Sequence, residues 1–339
     1  MDLRQSFLED IVAHPDDPAP RLIFADWLDE HGDSARAEFI RVQVRTPRNA
    51  AWHALLREHS AAWTTELAGV AHSALFRRGF IEGLVIKAEQ MPTFIQELPT
   101  LCRTYPLRKL RLEMPTSDEL QQAMDAFQQG LLRLDALDVY LRSETLPDPW
   151  FSTLRNDPCG ERLTSLLIEC ESPQPEWFDA LTLLDGPGAL NGLNELGIGF
   201  HSGAWDHTNS DGALRIIQTP WMDQLLKLHI PFMPLSEEAA TFLANDPLRD
   251  SLTHLDLGCT EIPLAGWQML QRSRTITGLK WLGLFGAHII TGNTFTPIER
   301  LRDHEIGQQL VMTMGARADF TTSSTFPAWK GTVGVPEPA

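Results

Sequence analysis

The 339-residue chain is short of basic residues. Only 28 lysines and arginines stand against 45 aspartates and glutamates, which gives a formal net charge of −17 at pH 7. A surface of this sign repels both the phosphate backbone of nucleic acids and anionic lipid headgroups. The composition therefore predicts neither a general nucleic-acid partner nor a membrane-surface partner.

Cysteines and long apolar runs are also scarce. The four cysteines lie far apart with no CxxC pair, which argues against a zinc knuckle and against a disulfide scaffold. The start of the chain contains Asp2, Glu9 and Asp10 and has no apolar stretch of the kind found in secretory signals. No segment has the roughly 18 uncharged apolar residues of a membrane helix. These absences predict a cytoplasmic protein with reduced thiols.

The sequence signatures of common enzyme classes are missing as well. There is no GxSxG, no GxxxxGK followed by Ser or Thr, no HExxH, no GxGxxG and no EF-hand loop. The motif search therefore predicts no catalytic residues and no bound cofactor.

What the chain has instead is an internal repeat from about residue 80 onward. Each copy has an aliphatic residue, two variable residues, a leucine, one variable residue and a second aliphatic residue. Eight copies follow one another at spacings of 26 to 32 residues, with the central leucines Leu84, Leu110, Leu137, Leu166, Leu196, Leu228, Leu255 and Leu282. A unit of this length fits a short strand and a return segment, and it is too small to bury its own apolar face.

Several return segments have the apolar spacing of helices. Leu120, Met124 and Phe127 recur at helical spacing after Ser117, and a similar run follows Ser236. Strands that alternate with helices predict an α/β solenoid, a horseshoe with a parallel inner sheet of about eight strands. These repeats resemble the leucine-rich repeat family, in its longer ribonuclease-inhibitor-like class, over roughly residues 80–300.

One departure from that family concerns the turn after each strand. The family usually has Asn or Cys three residues beyond the last strand aliphatic, where the side chain bonds to the turn backbone. In repeats two to eight this position holds Pro115, Arg142, Glu171, His201, Met233, Thr260 and Ala287. We therefore expect less regular turns, and loops at the insertions around residues 173–188 and 201–212.

The first 45 residues lack the repeat and form a separate module. Three stretches have the apolar spacing of helices, around Phe7–Val12, Leu22–Leu28 and Phe39–Val44, with Pro15 and Gly32 between them. The runs FLEDI, DDPAPRLIFADWLDEHGD and RAEFIRVQ resemble the bacterial repeat-companion domain, which commonly precedes repeat arrays. That family has no established activity, so the resemblance supports the architecture and assigns no chemistry.

These patterns divide the chain into five segments. We predict a helical repeat-companion module over 1–45, a helical cap and linker over 46–79, leucine-rich repeats over 80–296, a C-terminal cap over 297–320 and a disordered tail over 321–339. The linker helix is expected to pack the module on the first strand through Trp52 or Trp63.

Strand positions next to the central leucines predict a concave binding surface, because alternate side chains point to opposite faces of a sheet. The predicted contact residues are Lys109, Arg111, Tyr140, His229, His254, Asp256, Trp281 and Phe285. A Trp and a Phe exposed together indicate that something covers them, either a partner or the chain's own C-terminal segment. We predict Trp281 and Phe285 as the anchors for another protein.

The function predicted from the sequence is a non-catalytic scaffold, monomeric on its own, that binds another protein. An alternative uses His229, His254 and Asp256, since two histidines and a carboxylate on adjacent strands are the minimum for a catalytic zinc site. The chain would then be a metal-binding protein or a metal-dependent hydrolase. The acidic residues around Trp27 are expected to form a solvated helix face.

Overall fold

A computed structural model describes residues 3–46, 51–129, 132–142, 154, 162–171, 190–200, 211–245, 251–292, 294–297, 312, 314–319 and 332–336. The chain divides into two compact units, the first formed by Met1–Leu137 together with Trp329–Ala339 and the second by Asp138–Ala328. Within the described ranges, no helix combines the length and the apolar character that a membrane crossing requires.

The elements are numbered in chain order. The α-helices are α1 (Leu3–Ala13), α2 (Pro18–Glu30), α3 (Ser34–Arg45), α4 (Ala51–Trp63), α5 (Met91–Thr104), α6 (Ser117–Gln128), α7 (Asp211–Ile217), α8 (Glu237–Asn245), α9 (Leu264–Leu270) and α10 (Arg274–Gly278). The strands are β1 (Ser73–Arg77), β2 (Phe80–Ile86), β3 (Lys109–Glu113), β4 (Ala136–Leu141), β5 (Ser165–Cys170), β6 (Glu195–Phe200), β7 (Lys227–His229), β8 (His254–Asp256), β9 (Glu261–Pro263), β10 (Trp281–Gly283), β11 (His288–Thr291), β12 (Thr294–Pro297), β13 (Ala318–Asp319) and β14 (Thr332–Gly334).

The first unit joins a helical module to the start of a sheet. Strands β1 and β2 form an antiparallel hairpin, β3 pairs parallel with β2, and β14 pairs antiparallel with the other edge of β1. The carboxylates of Asp17 and Asp33 accept hydrogen bonds from backbone amides in the first turns of α2 and α3. These N-caps fix where the two helices begin. The helices α1 to α3 lie where the apolar spacing predicts them.

The core of the helical module includes a residue from the sheet. Phe80 of β2 belongs to the same buried cluster as Ile11, Phe24 and Ile40 of the three helices. Trp63 of α4 has its ring centroid 4.8 Å from that of Phe39 and 6.2 Å from that of Phe76 on β1. The module therefore packs directly on the hairpin, and Trp63 takes part in the contact that the sequence predicted.

The second unit contains a parallel sheet in the strand order β5, β6, β7, β8, β10 and β13. Helix α8 connects β7 to β8, and α9 and α10 connect β8 to β10, because parallel neighbours need a crossover segment. A small second sheet consists of β9, β11 and β12. Strand β4 spans the residue boundary between the two units.

The central leucines of the repeat lie side by side on neighbouring strands. Leu84 is opposite Leu110 in the first unit. Within the second unit, Leu166, Leu196, Leu228, Leu255 and Leu282 lie opposite one another on successive strands. All eight central leucines are at most 1% exposed. The predicted α/β class with a mainly parallel sheet is confirmed.

A backbone hydrogen bond recurs with the period of the sequence repeat. The residue two positions before a central leucine donates its amide to the carbonyl of the same position one repeat earlier. The donor–acceptor pairs, at 2.7 to 2.9 Å, are Arg108 to Glu82, Asp135 to Arg108, Asn194 to Thr164, Leu226 to Asn194, Thr253 to Leu226 and Lys280 to Thr253. These six bonds hold the paired strands together at their N-terminal ends.

The turns after four strands share one backbone conformation. Four positions beyond the central leucine, φ is 57° at Met114, 60° at Phe232, 52° at Cys259 and 65° at Gly286. This left-handed conformation is strained for residues other than glycine. The four turns share this conformation although they lack the Asn or Cys that leucine-rich repeats usually have there. The insertions predicted around 173–188 and 201–212 lie outside the described residues, except for the start of α7.

Some predicted segment types differ from the observed elements. The linker over 46–79 contains strand β1 as well as α4, and Thr332–Gly334, predicted as part of a disordered tail, forms β14. Strand β14 is fixed by pairing with β1, and β1 by pairing with both β14 and β2, which no local pattern reveals. Most of the predicted cap over 297–320 lies outside the described residues, although Met314 within it is buried and Ala318–Asp319 forms β13.

Candidate functional site

Five half-buried residues lie side by side across the strands of the second unit. They are Ser165, Glu195, Lys227, His254 and Trp281, and they are called the strand row below. Each one directly precedes a central leucine, so its side chain points to the opposite face of the sheet. With strands about 4.8 Å apart, the row extends over about 19 Å.

A buried histidine lies beside the strand row with a carboxylate on each side. His229 is 2% exposed, its Nε2 is 3.2 Å from Oε1 of Glu195, and its Nδ1 is 3.8 Å from Oδ2 of Asp256. Lys227 Nζ lies 3.4 Å from the same Glu195 oxygen. The strand register produces this cluster, because Glu195 is opposite Lys227 and His229 is opposite Asp256.

The charged groups in this cluster stabilise one another's ionised forms. Burial by itself lowers the pKa of His229, but the carboxylates of Asp256 and Glu195 outweigh it and raise the pKa above its ordinary value. For Glu195, burial raises the pKa, yet the hydrogen bond and charge of His229 and the charge of Lys227 bring it down to about 2. The site therefore favours an ionised Glu195 beside an imidazolium.

The pKa of His254 shifts in the opposite direction to that of His229. Its pKa is lowered by burial and by the positive charges of Lys227 and His229. A neutral imidazole in the strand row can both donate and accept a hydrogen bond. One of its nitrogens, Nδ1, already lies 2.9 Å from the hydroxyl of Thr253.

Trp281 is half-buried rather than freely exposed. A Cβ built on Gly283 would lie 2.4 Å from Cη2 of Trp281, so the indole lies directly over this glycine. Its Nε1 donates to Oδ2 of Asp319 on β13 at 3.4 Å. A residue beyond Pro297 therefore contacts the indole nitrogen. Phe285 is half-buried too.

Two predicted contact residues do not lie at the surface. His229 and Asp256 are only 2% and 3% exposed, so a partner cannot reach them directly. The two-residue alternation of a strand predicts which face a side chain takes, but it does not predict how deeply neighbouring side chains cover it. Instead, His229 contacts Glu195, and Asp256 lies against the other ring nitrogen of His229.

The remaining predicted residues belong to both units. Tyr140 is half-buried on β4 in the second unit, whereas Lys109 and Arg111 are half-buried on β3 in the first. Arg111 Nε donates to Oε1 of Glu113 at 2.8 Å along the same strand. The predicted contact set is therefore divided between the units.

Sequence reasoning did not single out Glu195 and Lys227 as site residues. Their positions could have indicated them, because Glu195 and Lys227 both precede a central leucine in consecutive repeats and carry opposite charges. Neighbouring strands bring such residues within reach of each other.

The proposed metal ligands do not converge. Both ring nitrogens of His229 face carboxylates, and in the part of the chain that the structure describes no group of three or more His, Cys, Asp or Glu side chains is placed to hold a metal ion. In the acidic cluster of α2, Arg41 binds Asp26 and Asp29 at 2.7 Å each. Neither place assigns metal chemistry to the chain.

Comparison of the chain with models of known protein families gives no match, and comparison with curated proteins gives none either.

Proposed function

We propose that this chain is a non-catalytic binding module that holds a partner protein on the strand row of its second unit. The observation that carries the proposal is the row itself, in which five half-buried side chains of mixed charge lie in register opposite the buried leucines. Such a surface has the mixed polarity that protein interfaces use.

The architecture proposed with this function is a leucine-rich repeat solenoid of the ribonuclease-inhibitor-like class, with a repeat-companion module over residues 1–45. The leucine register and the recurring backbone hydrogen bond support it, because both follow the sequence period. Arrays of this kind mostly bind other proteins, so the architecture favours the same function.

The chemistry of the strand row suits a partner with an acidic side chain near Lys227 and a hydrogen-bonding group near His254. Lys227 is still 42% exposed at its side chain although it contacts Glu195. Trp281 closes the row with a half-covered ring that adds apolar contact area. A rim charge such as Lys227 mainly accelerates association, whereas a packed ring slows dissociation.

Quantitative co-purification from the native cell tests the proposal with matched variants. The double variant Lys227→Ala, His254→Ala removes two members of the strand row, and Arg272→Ala, Arg274→Ala removes two exposed charges outside it. A protein that is retained by the parent chain and by the second variant, but lost with the first, supports the proposal.

Circular dichroism of both variants checks that they fold. Equal recovery of every co-purified protein with both folded variants would contradict binding at the strand row.

A further inference from the structure

A second polar site lies in the first unit, at the N-terminal ends of its strands. Glu82, Arg108 and Asp135 occupy the same repeat position, two residues before a central leucine, and they alternate in charge across neighbouring strands. Arg108 Nε lies 2.5 Å from Oδ2 of Asp135. This row borders a cleft of about 230 Å³ that is lined entirely by charged side chains.

The floor of the cleft is a buried ion pair. Glu82 is 2% exposed, and it binds Arg21 of α2 at 3.0 Å and accepts from Nε and Nη2 of Arg78 at 2.9 Å each. Arg21 is fully buried, and burial lowers its pKa to about 10, which leaves it charged at neutral pH. The negative charge of Glu82 is therefore neutralised within the protein.

The mouth of the cleft holds an exposed carboxylate between two arginines. Asp16, in the loop between α1 and α2, binds Arg78 at 3.2 Å and also contacts Arg108. Its side chain is 75% exposed, while the side chains of the two arginines are 31% and 18% exposed. The pair of guanidinium groups thus forms a clamp that an acidic group enters from solvent.

The local charge of this site is opposite to that of the chain. Four cations, Arg77, Arg78, Arg108 and Lys109, line the cleft with the three carboxylates of Asp16, Glu82 and Asp135, and Arg21 adds a fifth positive charge below. The site therefore carries a net charge of +2 within a chain of net charge −17. Such an excess favours a doubly charged anion.

We propose that this cleft is a binding site for a phosphate group and that Asp16 occupies the two-arginine clamp when the ligand is absent. Arginine side chains bind phosphate oxygens with charge-assisted hydrogen bonds, and the nitrogens that now contact Asp16 are Nη1 of Arg78 and Nη1 of Arg108. A phosphate carries more charge and more acceptor oxygens than one carboxylate, so it replaces Asp16 between Arg78 and Arg108. Exposed Arg77 contributes a further contact. The site is independent of the strand row.

Isothermal titration calorimetry with inorganic phosphate at neutral pH and low ionic strength tests the site on the full chain. One saturable site is expected in the parent protein. Arg77→Gln should weaken the affinity about tenfold, because one charge-assisted hydrogen bond is lost. Asp16→Asn should strengthen it about tenfold, because the internal competitor loses its charge.

Two variants serve as charge-matched controls. Arg57→Gln removes an exposed positive charge on α4, and Glu30→Gln removes an exposed negative charge at the end of α2, both away from the cleft lining. Neither should change the affinity by more than about twofold. Absence of binding in both the parent and Asp16→Asn, or an equal loss in Arg57→Gln and Arg77→Gln, would overturn the proposal.

A second titration distinguishes the source of the phosphate. The tripeptide glycyl-phosphoseryl-glycine replaces inorganic phosphate under the same conditions. Tighter binding of the tripeptide, with the same dependence on Arg77 and Asp16, identifies a phosphorylated protein segment as the ligand. Tighter binding of inorganic phosphate with that dependence identifies the free anion. Loss of partner capture by strand-row variants leaves these titrations unchanged, so the two proposals fail separately.

Discussion

His229 brings a positive charge into a buried place where Glu195 and Asp256 already lie. Removing a carboxylate from water is costly unless a partner charge and hydrogen bonds compensate it. The imidazolium of His229 supplies that compensation to Glu195 at 3.2 Å. The protonation state of His229 therefore determines whether the charges of Glu195 and Asp256 are compensated in the fold.

The first prediction is a pH dependence of stability. The pKa of His229 is raised above its ordinary 6.5, so its contribution to the free energy of unfolding is complete below pH 6.5 and is lost as the pH rises through the folded-state pKa. The pKa of Glu195 is lowered to about 2 from 4.5, so its contribution is present above pH 4.5 and is lost as the pH falls toward 2.

Urea unfolding of His229→Gln against the parent measures this effect. The parent should lose stability on the order of 1 kcal/mol above pH 6.5, and the variant should lack this decline. His53→Gln, at an exposed position on α4, is the control and should keep the decline of the parent. Parallel pH profiles for the parent and His229→Gln would show that His229 is not protonated in the fold.

At the scale of elements, the strands that carry leucines were predictable because burial on one face imposes a two-residue alternation. Helices α6 and α8 were predictable from helical spacing behind Ser117 and Ser236. Strand β1 escaped prediction because four of its five residues are buried, so it shows no alternation. Strand β14 is a three-residue strand fixed by its pairing with β1.

The candidate site was less predictable than the strands. The two-residue alternation predicted that His254 and Trp281 lie on the face opposite the central leucines, but it could not show that His229 and Asp256 are covered. Depth depends on which side chains surround a position, and these are brought together by strand register. The proposed phosphate cleft could not be predicted for the same reason, because Asp16 and Arg108 are distant in sequence and meet only when the helical module packs on the sheet.

Helix α3 and the β1–β2 hairpin fit together at one glycine. Gly79 has φ of +84°, its amide donates to Oε1 of Gln43 at 2.7 Å, and a Cβ there would lie 2.5 Å from Cγ1 of Ile40. Both Gln43 and Ile40 belong to α3. The hairpin can approach the helix this closely only because Gly79 has no side chain.

The second prediction compares two glycines of the same conformation. Gly79→Ala and Gly32→Ala both impose left-handed strain of about 1–2 kcal/mol, since φ at Gly32 is +88°. Only the first adds a clash with α3, so its total cost should reach about 3 kcal/mol or more. Thermal unfolding of both variants measures the difference. Equal losses of stability would mean that α3 does not pack on the hairpin in solution.

At the scale of the whole molecule, the two ends of the chain belong to the same unit. The segment Trp329–Ala339 is grouped with Met1–Leu137, and the second unit lies between them in sequence. The link is strand β14, in which Val333 is opposite Ala74 of β1, with a further hydrogen bond from the amide of Val335 to the carbonyl of His72 at 3.0 Å. Without β14, one edge of β1 would be unpaired, and β1 would be an edge strand held by β2 alone.

The last prediction follows from this pairing. A chain that ends at Ala328 loses β14, so β1 becomes an edge strand that pairs with β2 alone. The backbone amides among Ser73–Leu75 that donate to β14 should then exchange with deuterium at least about tenfold faster, because they lose their acceptors and edge hydrogen bonds open locally at low free energy. Amides of β7 and β8 in the second unit should keep their rates. A chain that ends at residue 336 retains β14 and is the control. If the truncation at Ala328 accelerated exchange in β7 as much as in β1, the C-terminal segment would stabilise the whole chain rather than the edge strand of the first unit.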